Sequence, residues 1–404
     1  MQIGIVLSAL RRHRLATFLI AMEIALACAV LCNAIFLMIE RNAAMQLVSG
    51  LDESRLGVIQ LDGIDAERAN DVNARVVGAL RGLSGVTAAG LVSAMPFGSP
   101  GIRAGVNLDE DQQVPGGVLD FYLADAVALD ALQLHLVGGR MPGADEFAPT
   151  DELVPANPPA LVTQELAQRY WPGENAVGKS LWAMDTRLRV IGVVEHMAVS
   201  RPGRGEAKGS DWSVIVPASQ GPRLTGRYLV RAEAGDMNRV MRDAQQAIRR
   251  VAPDVVFDVE GSRRISELRE RHFEGDRVMM GLLGGVIIAL LAATALGILG
   301  LASYWVEQRR KQIGIRRALG ATRTDVMRYF QIENLLIVSI GIAAGALLAY
   351  AMNLTLMRFY ELPRLPLLYL PVSAVILLLL GQAAVLLPAL RAAAIAPVSA
   401  IRSL

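Results

Sequence analysis

Residues 308–325 read Gln-Arg-Arg-Lys-Gln-Ile-Gly-Ile-Arg-Arg-Ala-Leu-Gly-Ala-Thr-Arg-Thr-Asp, the densest basic segment of the chain, and they lie between two long apolar runs. Short loops rich in Lys and Arg stay on the cytoplasmic side during membrane insertion. Arg309, Arg310, Lys311, Arg316, Arg317, Arg323 and Arg328 therefore predict a cytoplasmic loop over residues 307–331, and this loop orients everything around it. Ile313, Ile315, Ala318 and Leu319 interleave with the basic residues, which predicts an amphipathic helix presenting an apolar contact. Gly314 and Gly320 oppose that helix, each costing about 1 kcal/mol relative to Ala unless packing compensates.

The apolar runs beside this loop are part of a wider pattern. With 404 residues, 53% of them hydrophobic and only 19% charged, the chain is too apolar for an ordinary soluble globule and reads as an integral membrane protein. Runs at 15–39, 278–306, 332–357 and 367–390 are each long enough, at 1.5 Å per helical residue, to cross a hydrocarbon core of about 30 Å. The N-terminal residues 1–14 and the tail 391–404, with Arg391 and Arg402, then fall on the cytoplasmic side, and 358–366, with Pro363 and Pro366, form a short outer loop. Arg11, Arg12, His13 and Arg14 before the first run resemble the start of a signal peptide, but the run exceeds the usual apolar length of one, which favours an uncleaved anchor. Glu23 within that run must face another helix or the interface, because a lipid-facing charge is costly. Cys28 and Cys32, the two cysteines, sit in the same run and leave the rest of the chain without a thiol for a disulfide or a thiolate metal site. The net charge of +2 is nearly balanced and gives a general polyanion-binding role little support, so nucleic acid is not an expected partner.

Residues 40–277 are polar and contain no further run long enough to span, which predicts one large domain on the far side of the membrane. Residues 50–95 read strand, helix, strand, with Val72, Val76, Ala79, Leu80 and Leu83 at helical spacing, and 227–262 repeat the plan, with Val240, Ala244, Ala247 and Ile248 on one helix side. The expected fold is an α-helical membrane protein of four transmembrane helices carrying an α/β extracytoplasmic domain of two lobes. One lobe is a split βαβ subdomain and the other a long, mobile insertion at 96–226. Within the insertion, 160–170 read as helix, 187–195 and 212–216 as strands, and the turn-rich 141–159 and 201–211 as loops. Residues 263–277 mix both signs of charge around Ile265, Leu268 and Phe273 and predict a helical stalk laced by i,i+4 pairs and continuous with the second span. Gly341 and Gly345, extended by Ala349, let a helix approach closely, either within the bundle or in a dimer, and Gly281, Gly284, Gly285, Gly297 and Gly300 mark the second run similarly.

No catalytic constellation emerges. His135, His196 and His272 lack metal-ligand spacing and read as surface or hydrogen-bonded histidines, and no metal is expected. Gly173-Glu-Asn-Ala-Val-Gly178-Lys179-Ser180 fits the phosphate-loop pattern, but that mechanism needs a buried strand before the loop and a helix after it. Here a helix-like segment precedes and a strand-like one follows. No downstream strand ends in a magnesium-binding Asp, and the motif falls on the side away from cytoplasmic ATP. A nucleotide-hydrolysing enzyme resting on it is therefore refused.

This layout resembles the permease subunits of the MacB/FtsX-like ABC transporters. The likeness is sharpest at residues 309–322, where Arg309-Arg310-Lys311-Gln312-Ile313-Gly314-Ile315-Arg316-Arg317-Ala318-Leu319-Gly320-Ala321-Thr322 is similar to the family's Arg-Arg-x-Glu-Ile-Gly-Ile-x-Arg-Ala-Leu-Gly-Ala. Gln312 stands where the family usually has glutamate, and Glu333, Gly341 and Gly345 follow where it has a glutamate and then glycines. Val162-Thr-Gln-Glu-Leu-Ala167, Tyr170-Trp-Pro-Gly173, Ala176-Val-Gly-Lys179 and Val190-Ile-Gly-Val-Val194 resemble the family's periplasmic core. The resemblance implies a non-catalytic permease of the mechanotransmission type in the bacterial inner membrane, with its large domain in the periplasm. It binds no cofactor itself, since ATP belongs to separate cytoplasmic ABC ATPase subunits. Arg309, Arg310, Ile313, Gly314, Ile315, Arg316, Arg317, Ala318, Leu319 and Gly320 become the ATPase-coupling residues. The further implied partners are a second permease, in a homodimer or heterodimer, the lipid bilayer, and a periplasmic adaptor. The competing reading is a membrane-anchored extracytoplasmic sensor or scaffold without transport.

Overall fold

The structure is a computed structural model that describes residues 14–149, 157–183, 186–203, 209–221, 223–360 and 364–394. Arg11, Arg12, His13, Pro363 and Arg402, and parts of the loops expected at 141–159 and 201–211, lie outside the described residues. The chain divides into two compact units, one of Met1–Ala43 with Asp276–Leu404, the other of Ala44–Gly275.

The first helix, α1 (Arg14–Met45), is apolar on all sides and leads into the outer unit. That unit runs β1 (Leu56–Asp62), α2 (Ala69–Arg81), β2 (Val86–Leu91), β3 (Ile102–Asn107), β4 (Pro115–Ala124), α3 (Ala126–Leu132), β5 (Leu136–Gly139), β6 (Ala148–Pro149) and β7 (Pro159–Thr163). It continues with α4 (Gln164–Tyr170), β8 (Ser180–Ala183), β9 (Thr186–Val194), β10 (Ser213–Ser219), β11 (Arg227–Ala232), α5 (Met237–Val251), β12 (Val256–Arg264) and α6 (Ile265–His272).

Two sheets result. Strands from both ends of the unit form a four-stranded antiparallel sheet of order β12-β1-β11-β2, with Val58 opposite Leu229 and Tyr228 opposite Leu91. Each strand-helix-strand half thus has its two strands separated by one strand of the other half, the split βαβ arrangement. Helix stripes explain why α2 and α5 cover this sheet. Val72, Val76 and Leu80 of the one and Val240, Ala244 and Ile248 of the other are buried in one cluster with Ile59 and Tyr228. The buried Asn73 side chain satisfies the polar atoms at this seam, accepting from the Tyr228 hydroxyl at 2.8 Å and from Thr225 Oγ1 at 2.9 Å.

The residues between β2 and β11 build an eight-stranded sheet along the path β4-β3-β8-β9-β7-β10-β6, with β5 on β9. Parallel pairing of β10 with β4 closes part of this path into a ring, which removes two free sheet edges. The expected separate, mobile lobe differs from what is observed, because both large hydrophobic clusters draw on both sheets. Phe121 and Val214 share one cluster with Ile59 and Val76, and Leu161 and Ile215 share the other with Leu56 and Leu229. The expected helix at 160–170 is also half right. Residues up to Thr163 are strand β7, because Ala160, Leu161 and Val162 are buried between neighbours, and the helix begins only at Gln164.

The stalk is helical over most of its expected length. Arg263 and Arg264 end a strand, the helix starts at Ile265, and it runs on into the second span with one turn residue, Phe273, at the joint. Ile265, Leu268 and Phe273 are buried in an outer-unit cluster, and Arg269 donates to the Met45 carbonyl at 2.9 Å and pairs with Glu53 at 2.6 Å. The segment is a docked element of the outer unit, where burial of one apolar edge outweighs the i,i+4 pairs read from the sequence. At its start Arg264, the last residue of β12, pairs i,i+3 with Glu267 at 2.8 Å.

The membrane unit adds α7 (Glu274–Gln308), α8 (Arg310–Ala318), α9 (Arg323–Tyr360) and α10 (Tyr369–Ala393). Among the described residues, four helices are long and apolar enough to cross a membrane: Thr17–Met45, Ile265–Gln308, Arg323–Thr355 and Tyr369–Ala393. Arg41 near the end of α1 pairs with Asp276 near the start of α7 at 3.2 Å.

Candidate functional site: the basic loop and its anchors

The basic loop folds as the short helix α8 between two sharp boundaries. Arg309 breaks the register after α7 and occupies the N-cap position of α8. At the other end Gly320 adopts φ +103°, a left-handed conformation in which a side chain is strained, and the amides of Gly320 and Ala321 close onto the carbonyls of Arg317 and Arg316. Two residues on, Thr322 and Asp325 cap α9 reciprocally, Thr322 N donating to Oδ2 of Asp325 at 3.0 Å and Asp325 N to Oγ1 of Thr322 at 3.2 Å. The two glycines that weaken the helix in isolation therefore have local reasons: Gly320 ends it, and Gly314 is buried on its inner face.

Packing divides the four apolar residues of α8 into an anchor and a display. Ile313 is buried in a cluster with Val306, Val326, Phe330, Ala389, Ala392 and Ala393, so α8 rests on the ends of α7 and α10 and the start of α9. Ile315 and, one helical turn on, Ala318 and Leu319 face outward, and Leu319 is 83% exposed. The sequence pattern alone put all four on one contact surface. Ile313 belongs instead to the bundle, because its position is one turn before Arg317, whose guanidinium donates to the Ala393 carbonyl at 3.1 Å. Arg316 lies 5.3 Å over the Tyr329 ring, and Arg310 pairs with Glu307, both of them exposed.

A second anchor was not read from the sequence. Arg309 Nη1 contacts both carboxylate oxygens of Glu333, at 3.0 and 2.8 Å, with the two side chains 13% and 2% exposed. A buried carboxylate at the start of an apolar run demands a cation. The signal was available, since Glu333 is the carboxylate nearest to the basic loop within the third run, but the turn that brings position 309 beside it is not legible as a pattern.

The small residues of α9 are occupied from within the chain. A Cβ built at Gly341 would lie 2.7 Å from Cβ of Ile24, and one at Gly345 would lie 2.7 Å from the Ala25 carbonyl and 2.5 Å from Cβ of Cys28. Ala349 is buried, and its carbonyl accepts from Asn33 Nδ2 at 3.2 Å. This stripe is the seat of α1. Glu23, on α1, lies against Gly297 of α7, whose added Cβ would be 2.7 Å from its carboxylate.

In the outer unit the phosphate-loop look-alike connects α4 to β8 as a turn, and its amides are engaged internally: Gly178 N bonds the Val190 carbonyl at 2.8 Å and Lys179 N the Ala176 carbonyl at 3.1 Å. Lys179 pairs with Glu174 at 2.6 Å. The histidines take hydrogen-bonded places: His135 beside Glu195 at 3.4 Å, His196 beside Asp211 at 2.9 Å, and His272 at the Pro202 carbonyl at 3.0 Å. Burial pushes the Asp211 carboxyl up from its ordinary value, against the opposing pull of His196 and the Met197 amide.

Two family descriptions match this chain: the MacB-like periplasmic core domain over residues 15–250 and the FtsX-like permease C-terminal part over residues 284–397. A macrolide export ATP-binding/permease protein MacB 1/2 of Paracoccus denitrificans (strain Pd 1222) is 27% identical over 238 residues, 56% of this chain and 34% of that protein. A pyoverdine export ATP-binding/permease protein PvdT of Pseudomonas putida is 27% identical over 224 residues, 52% of this chain and 32% of that one. Each match covers about a third of the relative's length. Among solved structures, the periplasmic region of MacB from Actinobacillus actinomycetemcomitans is similar at TM-score 0.34 and 11% identity, over 57% of this chain and 97% of the other.

Proposed function

Since the chain belongs to the family that joins a MacB-like periplasmic core domain to an FtsX-like permease part, we propose that it is the permease subunit of an ABC transporter of the mechanotransmission type. Separate cytoplasmic ATPase subunits close on ATP, and this chain carries their motion to its periplasmic unit to drive export or extrusion. It performs no chemistry of its own. It works in the bacterial inner membrane, paired with a second permease, and its outer unit meets a periplasmic adaptor. The two relatives bear different cargo in their printed names, macrolide and pyoverdine, so the cargo class of this chain stays open.

One observation carries the reading: α8 is anchored on its inner face and apolar on its outer one. Ile315, Ala318 and Leu319 form the contact that the ATPase grips, with Arg310 and Lys311 beside it to attract acidic groups. Ile313 and the Arg309–Glu333 pair then hand any displacement to the ends of α7, α9 and α10, because a close-packed joint moves as a body. Replacing Ile315 and Leu319 by Asp should abolish co-purification of a co-expressed cognate ABC ATPase and remove its stimulation, while the melting temperature of the permease stays unchanged. Full ATPase association in that variant sinks the proposal and returns the sensor or scaffold reading to first place.

A further inference from the structure

A cleft of about 460 Å³ opens in the outer unit between one face of α2 and a wall made by the start of α3, Phe147 and the end of β10. Its size falls within the range of small-molecule sites. One feature of its lining has no explanation in the fold. Gly78 sits inside α2, where glycine is a poorer helix former than alanine, yet a Cβ there would meet nothing within 4 Å. Packing does not ask for this glycine, and the effect of its missing side chain is an open floor. Arg81, one turn further along the same face, is pinned by its Nε to the Ala89 carbonyl at 3.0 Å; its charge acts on the Asp125 carboxyl in the same cleft, but no direct ion pair joins them among the described residues. The carboxylate across the cleft, Asp125, is committed to the backbone: it accepts from Leu91 N at 2.8 Å and Ala128 N at 2.7 Å. The rest of the lining is largely apolar, with Val77, Leu91, Val127 and Phe147.

One positioned cation beside an apolar wall selects a molecule with one negative end and one oily end. We infer that this cleft binds a small amphipathic carboxylate, its chain over Gly78 against Val77, Val127 and Phe147 and its carboxylate on Arg81. The walls come from α2 on one side and from α3 and β10 on the other, so an occupant bridges elements of both sheets. The site rests on the outer unit alone and is independent of what the spans do.

The test uses the full-length protein in lipid nanodiscs, with octanoate and 1-octanol as probes and saturation-transfer difference NMR as the readout. Octanoate should give a signal well above that of empty nanodiscs. Gly78→Leu, which fills the floor, should reduce that signal at least about tenfold. Arg81→Gln should weaken octanoate binding about tenfold and leave octanol within about twofold, the signature of a lost charged hydrogen bond. No signal beyond empty nanodiscs, an octanoate signal that survives either substitution, or an equal loss of octanol on Arg81→Gln overturns the inference. Should Gly78→Leu fail to fold, the Arg81→Gln pair of measurements decides alone.

Discussion

Helices α7 and α9 carry the same sequence signal, glycines at helical spacing in an apolar run, and use it in opposite ways. On α9, Gly341 and Gly345 lie under α1 so closely that a single added carbon would collide with its backbone or Cβ atoms. On α7, an added carbon at Gly281, Gly284, Gly285 or Gly300 would meet nothing within 4 Å, and Gly297, beneath Glu23, differs from them. The second span is correspondingly bare: 11% of its most apolar stretch is buried by the rest of the chain, against 56% for the first span. Polar clamps repeat the contrast. Asn33 of α1 reaches the Ala349 carbonyl, and Asn334 of α9 reaches the Gly381 carbonyl of α10 at 2.9 Å. So α1, α9 and α10 are tied into a block. In a membrane, where packing and hydrogen bonds rather than exclusion from water hold helices together, such ties decide which helix is free to move.

The contrast is broken most severely at the joint between the block and α8. Glu333→Ala leaves the Arg309 guanidinium buried without its carboxylate and should cost about 3–5 kcal/mol, the usual penalty for removing one partner of a buried pair. A drop in thermal unfolding midpoint, followed by tryptophan fluorescence, reads it, and the Arg309→Met, Glu333→Met double variant should recover much of the loss. If the single variant melts like the parent, α8 is not tied to α9 through this pair. A smaller effect is expected at Gly345→Ala, where overpacking against Ala25 and Cys28 should destabilise the block by about 1–3 kcal/mol. An unchanged melting midpoint in that variant would mean that α1 can retreat from α9 at no cost.

Much of this architecture was legible because its causes are local. Span positions follow from run length, the helix stripes of α2 and α5 from spacing, and the refusal of the phosphate loop from the order of helix and strand around it. What escaped depends on distant residues. Strands β3, β5 and β6 are short, and β3, β4 and β5 are interrupted by Gly105, Gly116, Gly117, Gly138 and Gly139, so alternation is too brief or broken to register, and they exist because neighbouring strands pair with them. The eight residues of α6 carry alternating charge that reads as a solvated stalk, while burial of Ile265 and Leu268 under the outer-unit core determines where they lie. At the coupling segment the residue types were evident, but which side of α8 faces inward follows from the Arg309–Glu333 pair and from Ala393, residues 24 and 76 positions from their partners.

The mildest perturbation sharpens the contrast most. Gly284→Ala on α7 adds a methyl group where nothing within the chain opposes it, so intrinsic helix propensity alone should govern, and the variant should be neutral or more stable by up to about 1 kcal/mol. Gly345→Ala adds the same methyl group with the opposite sign of effect, which makes the pair an internal control for detergent and expression. The measurement is the unfolding midpoint of both variants in the same micelle, read together with their oligomeric mass by light scattering. Stabilisation of Gly284→Ala with unchanged mass means that α7 faces lipid and is free to transmit motion along its length. Loss of a dimeric species in Gly284→Ala, with the monomer as stable as the parent, means that a second permease seats on these glycines as closely as α1 seats on Gly345. The two helices would then follow one rule, with the partner of α7 supplied by another chain.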